Sequence, residues 1–328
     1  MSEITKKNGI LWSEKIKSCL KDEWPSFKEI IPLSLQASGR VYFRLRKEND
    51  ESMVLCFDET LCDEKHSFLL QSSFFQEQGV YTPQLLKIDF KNHFYLQEDL
   101  GDESLLVKSF LAKDEKEVDV FYKNVIDEMM KWQKIRKKGG EFSFSEEKFN
   151  EEIEKSIEFF YQNFLKVKDS GHLREIKNFF APLNKKLSNE STYYTHRDFH
   201  SRNIFFKEER PYIIDYQDAR FGPLSYDLVS LLEDSYFDLN KEQKEDYKNY
   251  FSCKMQISQD ELDLSYRECF LQRIVKVLGT FSFLGMREEK RFYLQYIAFN
   301  AEKLRHFLSN KKEDKELKEL LLRPYYGL

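Results

Sequence analysis

The chain has 328 residues, of which 41% are hydrophobic and 33% charged, and its formal net charge is −5. This composition is that of an ordinary globular protein, and the length favours two domains or lobes over one. No block of the chain is strongly basic, so a nucleic acid is not expected as the main partner. No apolar run reaches the length of a membrane span, and the N-terminus lacks the apolar core of a signal peptide, so no membrane association is expected.

The cysteines indicate the redox compartment. There are five, an odd number, and they form no close pair. Cys56 and Cys62 are the nearest two, but nothing nearby completes a zinc-binding set. We therefore expect reduced thiols and a cytoplasmic location.

The first hundred residues predict a small sheet with one helix. Residues 40–46 alternate apolar and polar side chains, and residues 52–57 form a continuous apolar run, so both predict strands. Residues 63–80 carry apolar side chains at helical spacing before a glycine that favours a helix end. Residues 84–90 and 93–100 then predict two strands joined by a tight turn.

Beyond Gly101 the pattern becomes helical. Residues 193–206 interrupt it, and a short apolar strand at 211–215 follows. The charged tail 310–320 predicts a solvated helix face. Long amphipathic patterns occupy residues 115–138, 146–166 and 172–188, and a further helical series runs from residue 224 to the end.

These elements predict an α+β fold with two lobes. The smaller lobe, residues 1–100, would contain an antiparallel sheet. The larger lobe, residues 101–328, would be mainly helical. The boundary is expected near Asp99 to Asp102, where the strand pattern ends.

Residues 193–206, "YYTHRDFHSRNIFF", concentrate polar and charged side chains. His196 and His200 are four residues apart, as in metal sites of the H-E-x-x-H type. The flanking aromatic and β-branched residues instead predict a loop between short strands, where this spacing does not place both rings on one face. A solvated polar loop without chemistry is the third alternative.

A kinase-type interpretation accounts for more of these residues. Asp198 is followed five positions later by Asn203, which matches H-R-D-x-x-x-x-N. The strand at 211–215 then leads to Asp215, in the place of the D-F-G aspartate. Because the loop and the following hairpin can bring these side chains together, three oxygen-bearing groups can converge where magnesium would be needed.

Two weaker segments fit the same interpretation. "EDLGDESL", residues 98–105, follows a strand and could join the lobes, where backbone groups would bind the adenine edge. "SGRVYFR", residues 38–44, stands where a loop over the phosphates is expected, but it has a single glycine and no G-x-G-x-x-G.

With these residues the chain resembles the aminoglycoside-phosphotransferase and choline-kinase-like superfamily. The stretches "HRDFHSRN" and "DYQDARFGPLSYDLVSLLEDSY" look more narrowly like bacterial cell-wall-recycling kinases that phosphorylate N-acetylmuramate and N-acetylglucosamine on the anomeric hydroxyl. "SGRVYFRL" and "LQRIVKVLGTFSFL" are similar to further signatures of that group. The resemblance implies a two-lobed protein-kinase-like fold, ATP and Mg²⁺ as cofactors, and a small amino sugar as substrate. It also implies that residues 1–100 bind the nucleotide and that residues 101–328 carry the catalytic loop and the acceptor site. Oligomeric partners stay open.

The resemblance also implies a role for individual residues. Asp198 would be the catalytic base, and Asn203 and Asp215 would bind magnesium. Asp227 would brace the catalytic loop through His196, although an acid favoured at a helix N-terminus would lie in the same place. The nucleotide would contact Ser38, Gly39, Arg40, Gln97, Glu98, Asp99 and Leu100; Arg202, Gln217, Asp218 and Arg220 would support the loop or the acceptor.

One feature departs from the kinase pattern. The strand at 52–57 carries no lysine where V-A-I-K has one, so another cation must neutralise the phosphates. Arg40 and Arg44 are available, and Arg44 should share a strand face with Tyr42. The alternative for Arg40 is an exposed arginine at a strand edge.

The sequence also leaves other functions open. An aminoglycoside or choline-type kinase would need an acidic acceptor pocket, to which Glu147, Glu151, Glu152 and Glu154 could contribute unless they form an exposed helix face. The missing lysine also leaves a non-catalytic nucleotide-binding regulator open. A protein kinase is disfavoured because no A-P-E follows Asp215.

Overall fold

A five-stranded antiparallel sheet forms the N-terminal lobe of the computed structural model, which describes residues 12–21, 27–33, 40–136, 142–309 and 312–327. The spatial order of the strands is β1-β2-β3-β5-β4. The strands are β1 Phe27–Pro32, β2 Val41–Lys47, β3 Ser52–Phe57, β4 Leu85–Asp89 and β5 Phe94–Glu98.

Four of these strands and the helix between them confirm the sequence prediction. Helix α2, Ser67–Glu77, starts four residues later than the predicted pattern and ends just before Gly79, which has a positive φ of 71°. Strand β1 and helix α1, Trp12–Cys19, were not predicted. Because β1 is an edge strand with partly exposed side chains and a terminal proline, it lacks the clear apolar alternation of an inner strand.

The two faces of the sheet pack differently. On one face, Trp12 and Ile16 of α1 pack against Phe43 and Phe57 in a small apolar cluster of its own. On the other face, the Tyr95 ring stacks on the ring of Phe68 in α2, with 4.4 Å between the two centroids. Both residues belong to the main hydrophobic core of the protein. This second face is therefore continuous with the helical lobe.

The C-terminal lobe is mainly helical, which confirms the predicted α+β class. The predicted long helices occur with shifted ends, and the second of them continues as a π-helical segment, Ile157–Phe164. The α-helices are α3 Leu105–Leu111, α4 Glu115–Gln133, α5 Glu146–Ser156, α6 Ser170–Asn189, α7 Tyr226–Leu232, α8 Lys241–Met255, α9 Gln259–Gly285, α10 Gln295–Ser309 and α11 Lys315–Tyr326.

Two short antiparallel strand pairs interrupt these helices, as the polar run predicted. Strands β6 Tyr193–Thr195 and β9 Arg220–Gly222 form one pair, and β7 Ile204–Lys207 and β8 Arg210–Ile213 form the other. The H-R-D-x-x-x-x-N motif lies between β6 and β7, so both pairs converge on it.

The lobes are joined between β5 and α3, where Ser104 caps the helix by accepting a hydrogen bond from Val107 N–H at 3.2 Å. The predicted division after residue 100 falls in this connection and stays a prediction. Among the described residues, no helix is both long and apolar enough to cross a bilayer.

Candidate active site

A buried carboxylate holds the loop that is predicted to be catalytic. Asp227, in the first turn of α7, is 0% exposed and accepts hydrogen bonds from the backbone N–H groups of His196 at 2.7 Å and Arg197 at 3.0 Å. It also accepts a hydrogen bond from Trp132 Nε1 at 3.0 Å. Burial raises the pKa of Asp227, and these donors oppose that shift. Asp227 therefore braces the loop through backbone groups rather than through the His196 ring.

Arg197 has a strained backbone that is held from several sides. Its φ is +80°, a region that non-glycine residues rarely adopt. Its guanidinium is buried and lies 2.8 Å from Glu152 Oε1, while Gln272 donates to the other carboxylate oxygen at 3.0 Å. Arg273 donates to the Arg197 carbonyl at 2.9 Å. These contacts fix the orientation of the next residue, Asp198.

Two cations face the Asp198 carboxylate. Lys276 Nζ lies 3.5 Å and Arg273 Nη1 lies 3.7 Å from its Oδ1. Burial acts to raise the pKa of Asp198, but the charges of Lys276, Arg273 and Arg197 outweigh burial and hold that pKa well below its usual range. Asp198 is therefore ionised at neutral pH and can accept a hydrogen bond from a hydroxyl group.

Asn203 and Asp215 lie side by side. Asn203 Nδ2 donates to the Asp198 carbonyl at 2.9 Å and lies 3.5 Å from Asp215 Oδ2. A backbone hydrogen bond keeps them together, because Ile214 N–H donates to the Asn203 carbonyl at 3.0 Å. His196 Nε2 contacts the Ile214 carbonyl at 2.9 Å. The structure thus brings the three predicted oxygen-bearing residues together.

The oxygen atoms of Asn203 and Asp215 fit Mg²⁺. Magnesium is usually held by one or two protein oxygen ligands together with waters and substrate phosphates. In the described part of the chain, no group of three or more His, Cys, Asp or Glu could hold a metal by itself. The pair therefore suits a metal that shares its ligands with a bound phosphate, and its role stays a prediction.

Arg40 lies beside this pair. Its Nε is 2.7 Å from Asp58 Oδ2, and its Nη1 is 3.7 Å from Asp215 Oδ1. Nη1 is buried and has no hydrogen-bond partner among the described residues. The alternative of an exposed strand-edge arginine is wrong, because the side chain is only 12% exposed. The other predicted phosphate-loop residues, Ser38 and Gly39, lie outside the described residues.

A cavity of about 250 Å³, here called the linker cavity, lies where the lobes join. Strand β5 ends at Glu98, so the backbone groups of Asp99 and Leu100 lie beyond the strand hydrogen bonds and can meet a ligand. The cavity lining includes all four predicted linker residues, Gln97, Glu98, Asp99 and Leu100, and reaches Asp215. Other lining residues are Gln217, Tyr42, Arg44, Val54, Phe68 and Tyr95.

Arg44 is engaged with the connection between the lobes. Its Nε lies 2.6 Å from Asp99 Oδ2, its Nη1 lies 3.0 Å from Asp102 Oδ1, and its Nη2 donates to the Gly101 carbonyl at 3.0 Å. Arg44 and Tyr42 both line the linker cavity, which confirms the predicted shared face. The expectation that Arg44 is available to phosphate is wrong, because two carboxylates already neutralise it.

A second cavity of about 170 Å³, here called the loop cavity, lies beside Asp198. His200, to which the sequence assigned no role, lines it. Asp234 shapes its wall by accepting hydrogen bonds from Ser201 N–H at 2.8 Å and Tyr236 N–H at 2.9 Å. Its lining also includes Ser230, Glu233, Ser235, Phe270, Arg273, Lys276, Thr280, Phe281 and Asn300.

Three predicted acceptor residues lie elsewhere. Gln217 donates to Asp215 Oδ1 at 2.9 Å and lines the linker cavity. Asp218 is 57% exposed. Arg220 packs against Phe142 at 4.2 Å, and burial, helped by a neighbouring guanidinium, lowers the pKa of Arg220 to about 10. None of the three lines the loop cavity.

Arg202 packs behind Tyr236, a residue that lines the loop cavity, without lining the cavity itself. Its guanidinium carbon is 3.9 Å from the centroid of the Tyr236 ring, and its Nη2 donates to Tyr296 Oη at 3.0 Å. Because Tyr236 lines the loop cavity, Arg202 is placed near this cavity rather than near the linker cavity.

The profile of the phosphotransferase enzyme family matches residues 29–262, which is well over half of the chain. The chain belongs to the phosphotransferase enzyme family. It is accordingly an ATP-dependent kinase that acts on an alcohol group.

Curated relatives of this phosphotransferase carry a more specific name. The chain is 26% identical over 301 residues to the N-acetylmuramate/N-acetylglucosamine kinase of Pseudomonas aeruginosa, covering 89% of this chain and 88% of the relative. It is 28% identical over 291 residues to the protein of the same name from Neisseria meningitidis, covering 85% and 86%.

Solved structures share the fold of this phosphotransferase. ADP-bound aminoglycoside phosphotransferase APH(2'')-Ib matches with a TM-score of 0.61 and 16% identity, covering 88% of this chain and 96% of that chain. Choline kinase LicA from Streptococcus pneumoniae matches with a TM-score of 0.61 and 13% identity, covering 89% and 98%. These matches confirm the two-lobed kinase-like fold.

Sequence reasoning assigned no role to Arg273 and Lys276 of the phosphotransferase site, and it named Glu152 only as a possible acid of the acceptor pocket. Arg273 and Lys276 face Asp198, and Glu152 neutralises Arg197. A signal was present for the cations: they stand three residues apart in the apolar stretch "LQRIVKVLG", so one helix face carries both. No such signal separated Glu152 from its neighbouring acids.

Proposed function

We propose that this phosphotransferase transfers the γ-phosphoryl group of magnesium-bound ATP to the anomeric hydroxyl of an amino sugar, N-acetylmuramate or N-acetylglucosamine. The names of the curated relatives, which match over most of both chains, support this acceptor class. A cytoplasmic role in cell-wall recycling belongs to the same proposal.

The observation that carries the acceptor class is the cation pair beside Asp198. Lys276 and Arg273 lie within 4 Å of the carboxylate expected to meet the reacting hydroxyl, so an aminoglycoside or choline cation would be repelled there. Glu233, on the wall of the loop cavity, is itself neutralised by Lys244 at 2.7 Å. A neutral or acidic acceptor fits these charges better than a cationic one.

The acids that could have favoured a cationic acceptor do not offset this pair. Glu147, Glu151 and Glu154 are exposed on α5. Glu152 is buried, but its charge is balanced by Arg197. None of the four lines the loop cavity.

The geometry suggests how the chain's own residues would act. The linker cavity would hold the nucleotide, with Asn203 and Asp215 binding its magnesium and Arg40 Nη1 donating to a phosphate oxygen. Magnesium would supply charge neutralisation at the phosphates. Asp198, whose low pKa makes it a weak base, would orient the hydroxyl more than deprotonate it, which suffices for a loose phosphoryl-transfer transition state.

The anomeric hydroxyl suits a weak base. The ring oxygen withdraws electron density from the anomeric carbon, so this hydroxyl is more acidic than the others on the sugar. It therefore loses its proton to a weakly basic carboxylate more readily than the other sugar hydroxyls would.

The test is a substrate panel with magnesium-ATP, followed by NMR to locate the phosphate. We expect N-acetylmuramate or N-acetylglucosamine to be phosphorylated at the anomeric position, and an aminoglycoside and choline to be left unchanged. Asp198→Asn should lower kcat about 10²- to 10⁴-fold while ADP still binds. Asp260→Asn, an exposed residue on α9, is the control and should keep normal rates. Turnover of only the cationic compounds would refute the proposal.

A further inference from the structure

The two proposed acceptors differ in one charged group. N-acetylmuramate carries a lactyl ether with a carboxylate, where N-acetylglucosamine has a hydroxyl. A carboxylate that leaves water needs a cation or several hydrogen-bond donors to compensate its lost hydration. A site for the acid should therefore include a cation that no protein carboxylate already neutralises.

Most cations around the loop cavity are already engaged. Lys276 faces both Asp198 at 3.5 Å and Glu152 at 3.8 Å. Lys303 Nζ donates to the Asp234 carbonyl at 2.7 Å and lies 3.4 Å from Asp238. Their acid partners leave these lysines with little positive charge to offer a second carboxylate.

Arg202 differs from these cations. It forms no ion pair with a carboxylate in the described ranges, and its one side-chain hydrogen bond there is to Tyr296 Oη. A guanidinium has five N–H donors, so most of them remain for a ligand. The group is also pre-positioned, because it stacks on Tyr236, whose backbone is held by Asp234.

We propose that Arg202 binds a carboxylate on the acceptor, so that the loop cavity favours the acidic amino sugar N-acetylmuramate over neutral N-acetylglucosamine. This inference rests on the proposed function. Asp198 receives the reacting hydroxyl and Arg202 receives the acid, which gives the sugar two fixed points. The planar fork of a guanidinium matches a carboxylate in bidentate geometry, which a lysine cannot reproduce.

The test compares kcat/KM for the two sugars in Arg202→Gln. We expect a loss of about 10- to 100-fold with N-acetylmuramate, mainly through a higher KM, and less than about twofold with N-acetylglucosamine. Arg202→Lys should recover only part of the loss, because it restores the charge without the fork. The matched control is Arg136→Gln, because Arg136 also stacks on a tyrosine, 3.5 Å from the centroid of the Tyr193 ring, but Tyr193 lines neither cavity, whereas Tyr236 lines the loop cavity.

The outcomes separate this inference from the proposed function. Equal losses with both sugars, or an unchanged preference, would overturn the role of Arg202. Wild-type enzyme that phosphorylates N-acetylglucosamine but not N-acetylmuramate would also overturn it and leave the proposed function standing. Wild-type enzyme that phosphorylates neither sugar would overturn the proposed function itself. Activity with N-acetylglucosamine also shows that Arg202→Gln is folded.

Discussion

Replacing Glu152 by glutamine tests how the catalytic loop is held in place. In the wild-type protein Glu152 is 7% exposed and lies 2.8 Å from the guanidinium of Arg197, the residue before Asp198. The substitution keeps the shape of the side chain but removes its charge. The buried guanidinium then faces a neutral amide.

The expected cost follows from the burial of this pair. Removing one partner of a buried ion pair costs about 3–5 kcal/mol, because the remaining charge is left uncompensated. Two features place this case at the lower end: the glutamine carbonyl still accepts a hydrogen bond, and Asp218 Oδ2 remains 3.7 Å from Arg197 Nη1, although it is 57% exposed. We expect a loss of about 3 kcal/mol, roughly 150-fold in the unfolding equilibrium.

This cost should depend on pH. Burial acts to raise the pKa of Glu152, but the charges of Lys276 and Arg197 outweigh it and lower that pKa below its usual 4.5. The stability from ionised Glu152 is therefore fully present above about pH 4.5 and is lost as the pH falls through the lower folded-state pKa. The difference between wild type and variant should shrink in acid.

Urea denaturation followed by circular dichroism, at neutral pH and in steps towards acid, measures both effects. The control is Glu154→Gln on the same helix, where the side chain is 54% exposed and pairs with Lys177 at the surface. That variant should lose less than about 1 kcal/mol. Equal losses for the two variants, or a Glu152→Gln loss below about 1 kcal/mol at neutral pH, would refute the reasoning.

Three further predictions test other parts of the site. Asp215→Ala should remove the magnesium dependence of ADP binding in calorimetry, and an unchanged dependence would contradict its metal role. Arg40→Met should raise the KM for ATP about tenfold or more, because the guanidinium lies beside Asp215. The control is Arg46→Met at a partly exposed position of β2, which should leave the KM for ATP unchanged. Gly279→Ala should destabilise the protein by about 1–3 kcal/mol in urea, because a new Cβ would lie 2.4 Å from Ser156 Oγ; an unchanged midpoint would contradict this close packing.

The sequence by itself determined the fold class and the central motif. Alternation and helical spacing act over a few residues, so they predicted that β2 to β5, α2 and the long helices exist, although several helix ends are shifted. The spacing of Asp198 and Asn203 is equally local. A strand before Asp215 was enough to predict that all three would meet.

Only the tertiary structure decided which charged residues share the site. Arg40, which immediately precedes β2, reaches Asp215. Arg44, which lies on β2 itself, is neutralised by Asp99 and Asp102. Nothing in the local pattern separates these two arginines, because their partners are far away in the chain.

The same holds for the cations and acids of the helical lobe. Lys276 and Glu152 belong to helices that are separated in sequence, yet packing places both beside the catalytic loop. Glu154, two residues from Glu152, lies at the surface of the same helix. Local spacing sets which residues an element presents, but burial and the distance between charges depend on which elements pack together, and these quantities set the pKa values and ion pairs of the site.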